Sequence, residues 1–184
     1  MLRLFLFAII SEIPFNLIMG SSVFYPFHQN VLWTFLLGVL SIQIIEKAKK
    51  KQKKWISFFV VCLVLLMDFL LGTITMVDYN AAGILTVLLF YFFRKKTWIS
   101  FAAQLVGLYY LNVVMLGNLY YPVTILGHHF EIAQQSFALL ALIPIWLYHG
   151  EQGYHSKWFK YFCYAFYPVH LLISVSYTHL TLPT

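Results

Sequence analysis

Long stretches without charged side chains constrain the fold of this chain more than any other feature. Residues 32–45 and 55–67 carry no charge, and a lysine-rich run at 46–54 lies between them. Of the 184 residues, 61% are hydrophobic and only 10% are charged. In soluble domains, roughly a quarter of all residues are charged. Too few polar side chains are present to cover a soluble globule, so the composition predicts a membrane protein.

Seven stretches approach the length of about 20 mainly apolar residues that a helix needs to cross a bilayer core. No internal repeat, flexible linker or soluble domain separates them. The sequence therefore predicts an all-α fold, a polytopic transmembrane helical bundle of about seven spans that forms one domain over residues 1–175. The predicted spans are residues 4–20, 30–45, 55–72, 75–93, 98–116, 134–148 and 161–175.

Residues 176–184 break this pattern. They read SYTHLTLPT, a polar and alternating sequence that is typical of translated linker appended to a gene fragment. We expect this segment to be a non-native tail and leave it out of the fold prediction.

The basic residues predict the orientation of the spans. With seven spans, every Lys and Arg falls on one side of the membrane, and the opposite segments 21–29, 73–78 and 117–133 contain none. Lys and Arg accumulate in cytoplasmic loops. The pattern therefore predicts a multi-pass protein of the inner (cytoplasmic) membrane, with its N-terminus inside and the lysine-rich run as a cytoplasmic loop.

The net charge of +6 does not indicate a nucleic-acid partner. The basic residues are confined to short segments, and no nucleic-acid recognition motif accompanies them. Lysines beside a span more often contact anionic lipid or fix topology, so membrane lipid is the expected partner. Cys62 and Cys163 lie inside apolar segments, and no disulfide is expected.

Four ionisable side chains lie within the predicted spans, where a charge at the bilayer centre costs roughly 3 kcal/mol on insertion scales. Glu12 and His170 each lie about ten residues beyond a basic residue, a rise of about 15 Å, which predicts that both are near the midplane. Asp68 and Asp78 are expected in the outer half. Each group either forms a functional site or pairs with other polar groups of the bundle.

Other polar groups lie at the predicted outer side. His28 and Asn30 flank the beginning of the second span, where they form an interfacial cap or line an outer mouth. His128, His129 and Glu131 on an outer loop have weak metal-ligand character, because adjacent histidines cannot share one helix face. No metal site is expected.

Several motifs in a fixed order and spacing resemble the TraX family of membrane proteins. The resemblance covers about residues 2–175. This family is named for the conjugation-linked protein that acetylates the amino terminus of pilin, and it is similar to membrane acyltransferases that use acyl-CoA. In chain order, the motifs are Arg3-Leu4, SEIPFN at 11–16, QNVL at 29–32, Asp78-Tyr79-Asn80 with Gly83, Phe90-Tyr91 with Arg94-Lys95-Lys96, and FYPVHL at 166–171.

The resemblance implies a bacterial membrane acetyltransferase or acyltransferase that moves an acetyl group from acetyl-CoA to an amine acceptor, either a protein amine or an envelope component. Under this hypothesis His170, Glu12 and Asp78 are the catalytic residues. The cationic side chains of Arg94, Lys95 and Lys96 bind the phosphates of acetyl-CoA at the inner face. Tyr79, Asn30 and Tyr167 are the expected substrate-binding residues.

The chain also departs from the family pattern. Family members carry two further spans ahead of the Arg3-Leu4 helix, with an Asp-His pair and a Gly-Arg…Phe-Pro stretch. Asn80 replaces the usual Gly after Asp-Tyr. If the family's essential His lies in those spans, this chain is an amino-terminally truncated fragment that is inactive alone.

Two other classes of function fit the sequence. One is a small proton- or ion-coupled permease in which Glu12, Asp68 and Asp78 form the ion path. The other is a non-catalytic membrane assembly subunit whose polar groups pack against a partner. Neither class requires acetyl-CoA.

Overall fold

A computed structural model describes residues 1–117, 119–125, 128–151, 153–154 and 156–181. Helices dominate it, and a single two-stranded hairpin lies among the described residues. In chain order, the elements are α1 (Leu2–Gly20), α2 (Val31–Lys51), α3 (Lys54–Ile74), α4 (Asn80–Phe92), α5 (Trp98–Tyr109), a π-helical segment (Tyr110–Met115), β1 (Tyr120–Ile125), β2 (His128–Ala133), a 3-10 segment (Gln134–Ala141), α6 (Leu142–Leu147) and α7 (Lys157–Thr181).

Four helices in the described part of the chain are long and apolar enough to cross a membrane. They are α1, α2, α3 and the continuous helix Trp98–Met115, which joins α5 to the π-helical segment. The predicted all-α, multi-pass membrane fold is confirmed. The predicted number of seven spans is wrong, because about four helices meet the requirement.

Backbone geometry explains why the predicted fourth span is too short. Met76, Tyr79 and Asn80 adopt positive φ angles of 51°, 63° and 46°, which helices of L-residues do not accommodate. The chain therefore turns between α3 and α4, and α4 keeps only 13 residues, a length of about 20 Å.

The other two predicted spans that do not meet the requirement differ from it for other reasons. The predicted span 134–148 is divided between eight 3-10 residues and the six-residue α6. The predicted span 161–175 lies within α7, whose 25 residues are long enough but include lysines, tyrosines and serines that dilute its apolar character. Because α7 continues to Thr181, no helix end marks residue 175, and the non-native origin of 176–184 stays a prediction.

The lysine-rich run is helical rather than a loop, which corrects the sequence prediction. α2 continues through Lys51 and α3 begins at Lys54, so only two residues connect them. Lys, Glu, Ala and Gln favour helices, and cationic side chains in the last turn of α2 interact favourably with its dipole. The Ser57 hydroxyl of α3 donates to the Ala48 carbonyl of α2 at 3.0 Å, which fixes the connection.

The core lies where α2, α3 and α4 pack together. Ile45, Val64 and Leu88, one from each helix, are its buried apolar side chains. Close approach is possible at Gly72 of α3, where an added Cβ would lie 2.7 Å from the Ala81 Cα of α4. α1 packs on α2 and α7 beside this three-helix unit.

Backbone hydrogen bonds join two connections at one end of the bundle. Gln29, ahead of α2, forms a bridge with Val77, ahead of α4. The Gln29 N–H donates to the Met76 carbonyl at 3.0 Å, and the Asp78 N–H donates to the Gln29 carbonyl at 2.9 Å. These bonds fix the positions of the polar side chains at 28–30 and 78–79.

The packing at Gly72 predicts that Gly72→Ala destabilises the fold, although Ala has the higher helix propensity. The new Cβ would meet the backbone of α4, which cannot move without separating the helices. We expect a loss of about 1–3 kcal/mol, measured as a lower thermal unfolding midpoint in detergent.

Gly107→Ala is the matched control, since this helical glycine faces only the movable end of the Leu89 side chain. It should leave the midpoint unchanged or raise it. Equal midpoints for the two variants would contradict the close α3–α4 contact.

Candidate functional site

A polar cluster lies where α1, the beginning of α2, the α3–α4 connection and α7 meet. Its side chains come from four separate parts of the sequence and share a position near one end of α2 and α4. The members of this outer cluster are Glu12, His28, Asn30, Asp78, Tyr79 and Tyr167.

Glu12 is held by donors from the first turn of α2. Its Oε2 accepts from the Trp33 Nε1–H at 2.9 Å, from the Asn30 side-chain amide and, at 3.5 Å, from the Asn30 backbone N–H. Its Oε1 is buried and has no hydrogen-bond partner among the described residues. One carboxylate oxygen is therefore fixed, and the other is enclosed without a donor among the described residues.

Asn30 connects α1 to α2 through a fully buried side chain. Its Oδ1 caps α2 by accepting from the Leu32 N–H at 3.0 Å, and its Nδ2 donates to the Ala8 carbonyl at 2.9 Å and to Glu12. An N-cap bond of this kind contributes about 1 kcal/mol. Both ends of the amide are already bonded, so Asn30 positions Glu12 and has little capacity left for a substrate.

His28 and Asp78 form an imidazole–carboxylate pair. His28 Nε2 lies 3.4 Å from Asp78 Oδ1, and both side chains are partly exposed. The Phe15 ring stacks on the imidazole with centroids 5.7 Å apart and planes inclined by 12°. A carboxylate fixes the orientation of an imidazole in acid–base sites, so this pair has the arrangement of a general base.

Two phenols border the pair. Burial and the neighbouring Asp78 carboxylate raise the pKa of Tyr79, so its hydroxyl remains a neutral donor at pH 7. The Tyr167 phenol of α7 faces the Val31 backbone amide and lies within electrostatic range of Asp78, Glu12 and Tyr79. Both hydroxyls can donate to an oxygen that develops negative charge.

The contacts separate Glu12 from His170, although the sequence predicts that both lie near the midplane. Because Glu12 bonds to the N-cap of α2, the middle of α1 is level with the beginning of α2 rather than with its centre. His170 does not join Glu12. It is exposed on α7, where its ring stacks on Phe166 at 6.0 Å and lines an apolar groove with Val169 and Ile173.

The three predicted phosphate-binding residues lie at the opposite end of α4. Arg94, Lys95 and Lys96 border a cavity of about 210 Å³ that Gln104 and Trp146 also line. We call this cavity and its lining residues the basic cavity. α4, about 20 Å long, separates it from the outer cluster.

Several bonds shape the basic cavity. Arg94 Nη1 lies 3.7 Å from Glu46 Oε1, and Lys96 donates to the carbonyls of Trp146, at 3.2 Å, and Tyr148. The buried Gln104 amide accepts from the Trp146 indole at 2.7 Å. In the described part of the chain, Lys95 has no carboxylate partner, which leaves its ammonium free for an anion.

The TraX protein family model matches residues 1–176. The chain belongs to the TraX family. No curated protein and no solved structure gives a significant match to it.

The structure of this TraX chain groups most of the residues that the sequence singled out. Glu12, Asn30, Asp78, Tyr79 and Tyr167 lie together, and the three cations at 94–96 lie together at the other end. His170 is apart from both groups.

The sequence did not reveal the pairing of His28 or the contributions of Trp33, Gln104 and Trp146. From the sequence, His28 is a cap or mouth residue, because nothing in it shows that residue 29 pairs with residues 76–78. The Trp33 indole, three residues after the Asn30 that bonds to Glu12, carries no sequence signal of its own.

The His28–Asp78 pair predicts a pH dependence for the stability of the TraX chain. Burial raises the pKa of Asp78 above its ordinary 3.8, and His28 opposes this shift. The folded chain thus holds this proton more tightly than the unfolded chain. The corresponding stability is complete below the unfolded pKa and is lost as the pH rises through the folded pKa.

We therefore expect Asp78→Asn, which titrates in neither state, to gain thermal stability relative to wild type between pH about 4 and 5.5, below the range where His titrates. Midpoints in detergent at several pH values measure this difference. Glu131→Gln on the exposed β2 strand is the control and should show a constant difference. A constant or falling difference for Asp78→Asn would refute the argument.

Proposed function

We propose that this TraX-family protein transfers an acetyl group from acetyl-CoA to an amine acceptor in the inner membrane. The observation that carries the proposal is the His28–Asp78 pair, which lies beside a Glu12 oxygen without a partner in the described structure and two phenols. Family membership over residues 1–176 supports the same class of reaction.

The proposed general base is His28. Asp78, 3.4 Å away, orients the imidazole and stabilises its protonated form. His28 first takes a proton from the acceptor ammonium and releases it to water. The free amine nitrogen then attacks the thioester carbonyl carbon, so that a C–N bond forms and the C–S bond breaks. The second proton lost by the nitrogen passes through His28 to the CoA thiolate, so the products are an acetamide, CoA and one H⁺.

Glu12 and the phenols supply the remaining groups for this reaction. An amine acceptor is an ammonium ion at pH 7, and the nearby Glu12 carboxylate would attract it electrostatically. The hydroxyls of Tyr79 and Tyr167 can donate to the thioester oxygen when it becomes an oxyanion. Removal of one such donor commonly costs about 10²–10³ in kcat.

The basic cavity would hold the phosphates of acetyl-CoA. Lys95 is free for this contact, Arg94 is largely exposed, and the Gln104–Trp146 bond fixes the opposite wall. The long pantetheine arm of CoA would have to follow α4 for about 20 Å to bring the acetyl group to the outer cluster. This length requirement favours a CoA thioester over a compact acetyl donor.

The basic residues also support the location and the lipid partner. The exposed lysines at the α2–α3 connection would face the cytoplasmic leaflet, in agreement with the positive-inside rule, and contact anionic lipid headgroups. Acetyl-CoA is made in the cytoplasm, so a basic cavity on that side fits its supply.

The proposal predicts that His28→Ala lowers acetyl transfer by about 10²–10⁴-fold, the usual contribution of general acid–base catalysis. The assay uses the full-length gene product in liposomes, with labelled acetyl-CoA and an acceptor peptide. His170→Ala is the matched control and should retain most activity, because its ring faces an apolar groove.

Lys95→Ala should raise KM for acetyl-CoA and leave kcat nearly unchanged, whereas Lys157→Ala at the start of α7 should change neither. If His170→Ala loses activity and His28→Ala retains it, His28 is not the general base and His170 is, as the resemblance implies. Absence of label transfer by the wild-type protein, together with ΔpH-dependent uptake, would favour the permease.

A further inference from the structure

Asp68 is a buried carboxyl group that the proposed reaction does not use. It lies in the interior of α3, and only 3% of its surface is exposed. Ser41 of α2, which contacts it, is 5% exposed. The Ser41 hydroxyl donates to Asp68 Oδ1 at 2.7 Å. The second oxygen, Oδ2, is buried and has no hydrogen-bond partner in the described part of the chain.

The helices around Asp68 are closely packed. Val64 and Gly72, one turn away on either side along α3, are both buried. Gly72 contacts the backbone of α4 at Ala81, and Gly38 of α2 contacts the Val87 side chain of α4. Asp68 therefore lies in a three-helix unit in which apolar side chains and glycines leave little space.

Ionisable groups on all three packed helices are distant from Asp68 or bonded elsewhere. On α2, Glu46 is five residues beyond Ser41, about 7.5 Å along the axis, and accepts from Tyr91 of α4. On α3, Lys54 is 14 residues away, about 21 Å, and Cys62 is exposed. Ahead of α4, Asp78 pairs with His28, and Tyr79 is next to it.

A carboxylate in this position would be unfavourable. An ionised carboxyl needs several donors or a cation, and burial without them is strongly unfavourable. Asp68 receives one donor, which leaves Oδ2 uncompensated. A protonated carboxyl avoids this cost, because its Oδ1 accepts the Ser41 hydrogen bond as a neutral carbonyl oxygen.

We infer that Asp68 is a proton-binding site in the α2–α3–α4 unit, with its proton on Oδ2 and the Ser41 hydroxyl on Oδ1. A metal ion does not fit, since the Asp68 and Ser41 side chains offer at most three oxygens and hard cations take six or more. Loss of the proton would place a charge between α2 and α3, and the helices would have to separate or admit water. Proton binding is thus coupled to the packing of α2 on α3, independently of acetyl transfer.

Infrared spectroscopy tests this inference directly. The chain has only six Asp and Glu residues, so single substitutions can be assigned in difference spectra of the intact protein in liposomes. At pH 7 we expect a protonated-carboxyl C=O band that Asp68→Asn removes. Ser41→Ala should shift this band to higher frequency, because its carbonyl oxygen loses a hydrogen bond.

Glu12→Gln and Asp78→Asn are the matched controls, because each removes another partly buried carboxyl, and neither should remove the band. If Asp68→Asn instead removes carboxylate bands at pH 7, the inference is wrong. Ser41→Ala and the alkaline titration of wild type keep the test decisive if Asp68→Asn does not fold. A band that Ser41→Ala does not shift, or one that disappears near pH 5, overturns the inference.

Discussion

The buried side-chain amide of Asn30 is the interaction on which the outer cluster depends. Asn30 is the last residue of the connection between α1 and α2. Its side chain caps α2 and bonds to the Ala8 carbonyl and the Glu12 carboxylate. In a low-dielectric interior, a polar group without a partner costs more than a hydrogen bond gains. The position of α1 is therefore tied to the first turn of α2, and Glu12 follows from it.

The rest of the molecule keeps two polar regions apart. The outer cluster and the basic cavity lie at opposite ends of α4, and the apolar α2–α3–α4 core with its buried Ser41–Asp68 pair lies between them. The proposed transfer would use the basic cavity for the anionic donor and the outer cluster for the acceptor. Asp68 places a carboxyl group in this core. The free-energy cost of burying that group is lowest when it is protonated.

Much of the fold and part of the site could be predicted from residue type and spacing. The all-α membrane class follows from apolar stretches that soluble packing could not bury, and the presence of Glu12 and Asp78 in such stretches marks them for function or pairing. Span boundaries were less predictable. The turn at residues 76–80 needs positive φ angles at Met76, Tyr79 and Asn80, and hydropathy does not register backbone angles.

The sequence by itself determined that this chain is a helical, multi-pass membrane protein of the TraX family, because composition and motif order are local properties of the chain. Only the tertiary structure decided that the imidazole beside Asp78 is His28 and that His170 faces an apolar groove. Pairing of Gln29 with Val77 joins two connections 48 residues apart. The physical reason is that such long-range contacts depend on how helices end and pack, which periodicity in one segment does not encode.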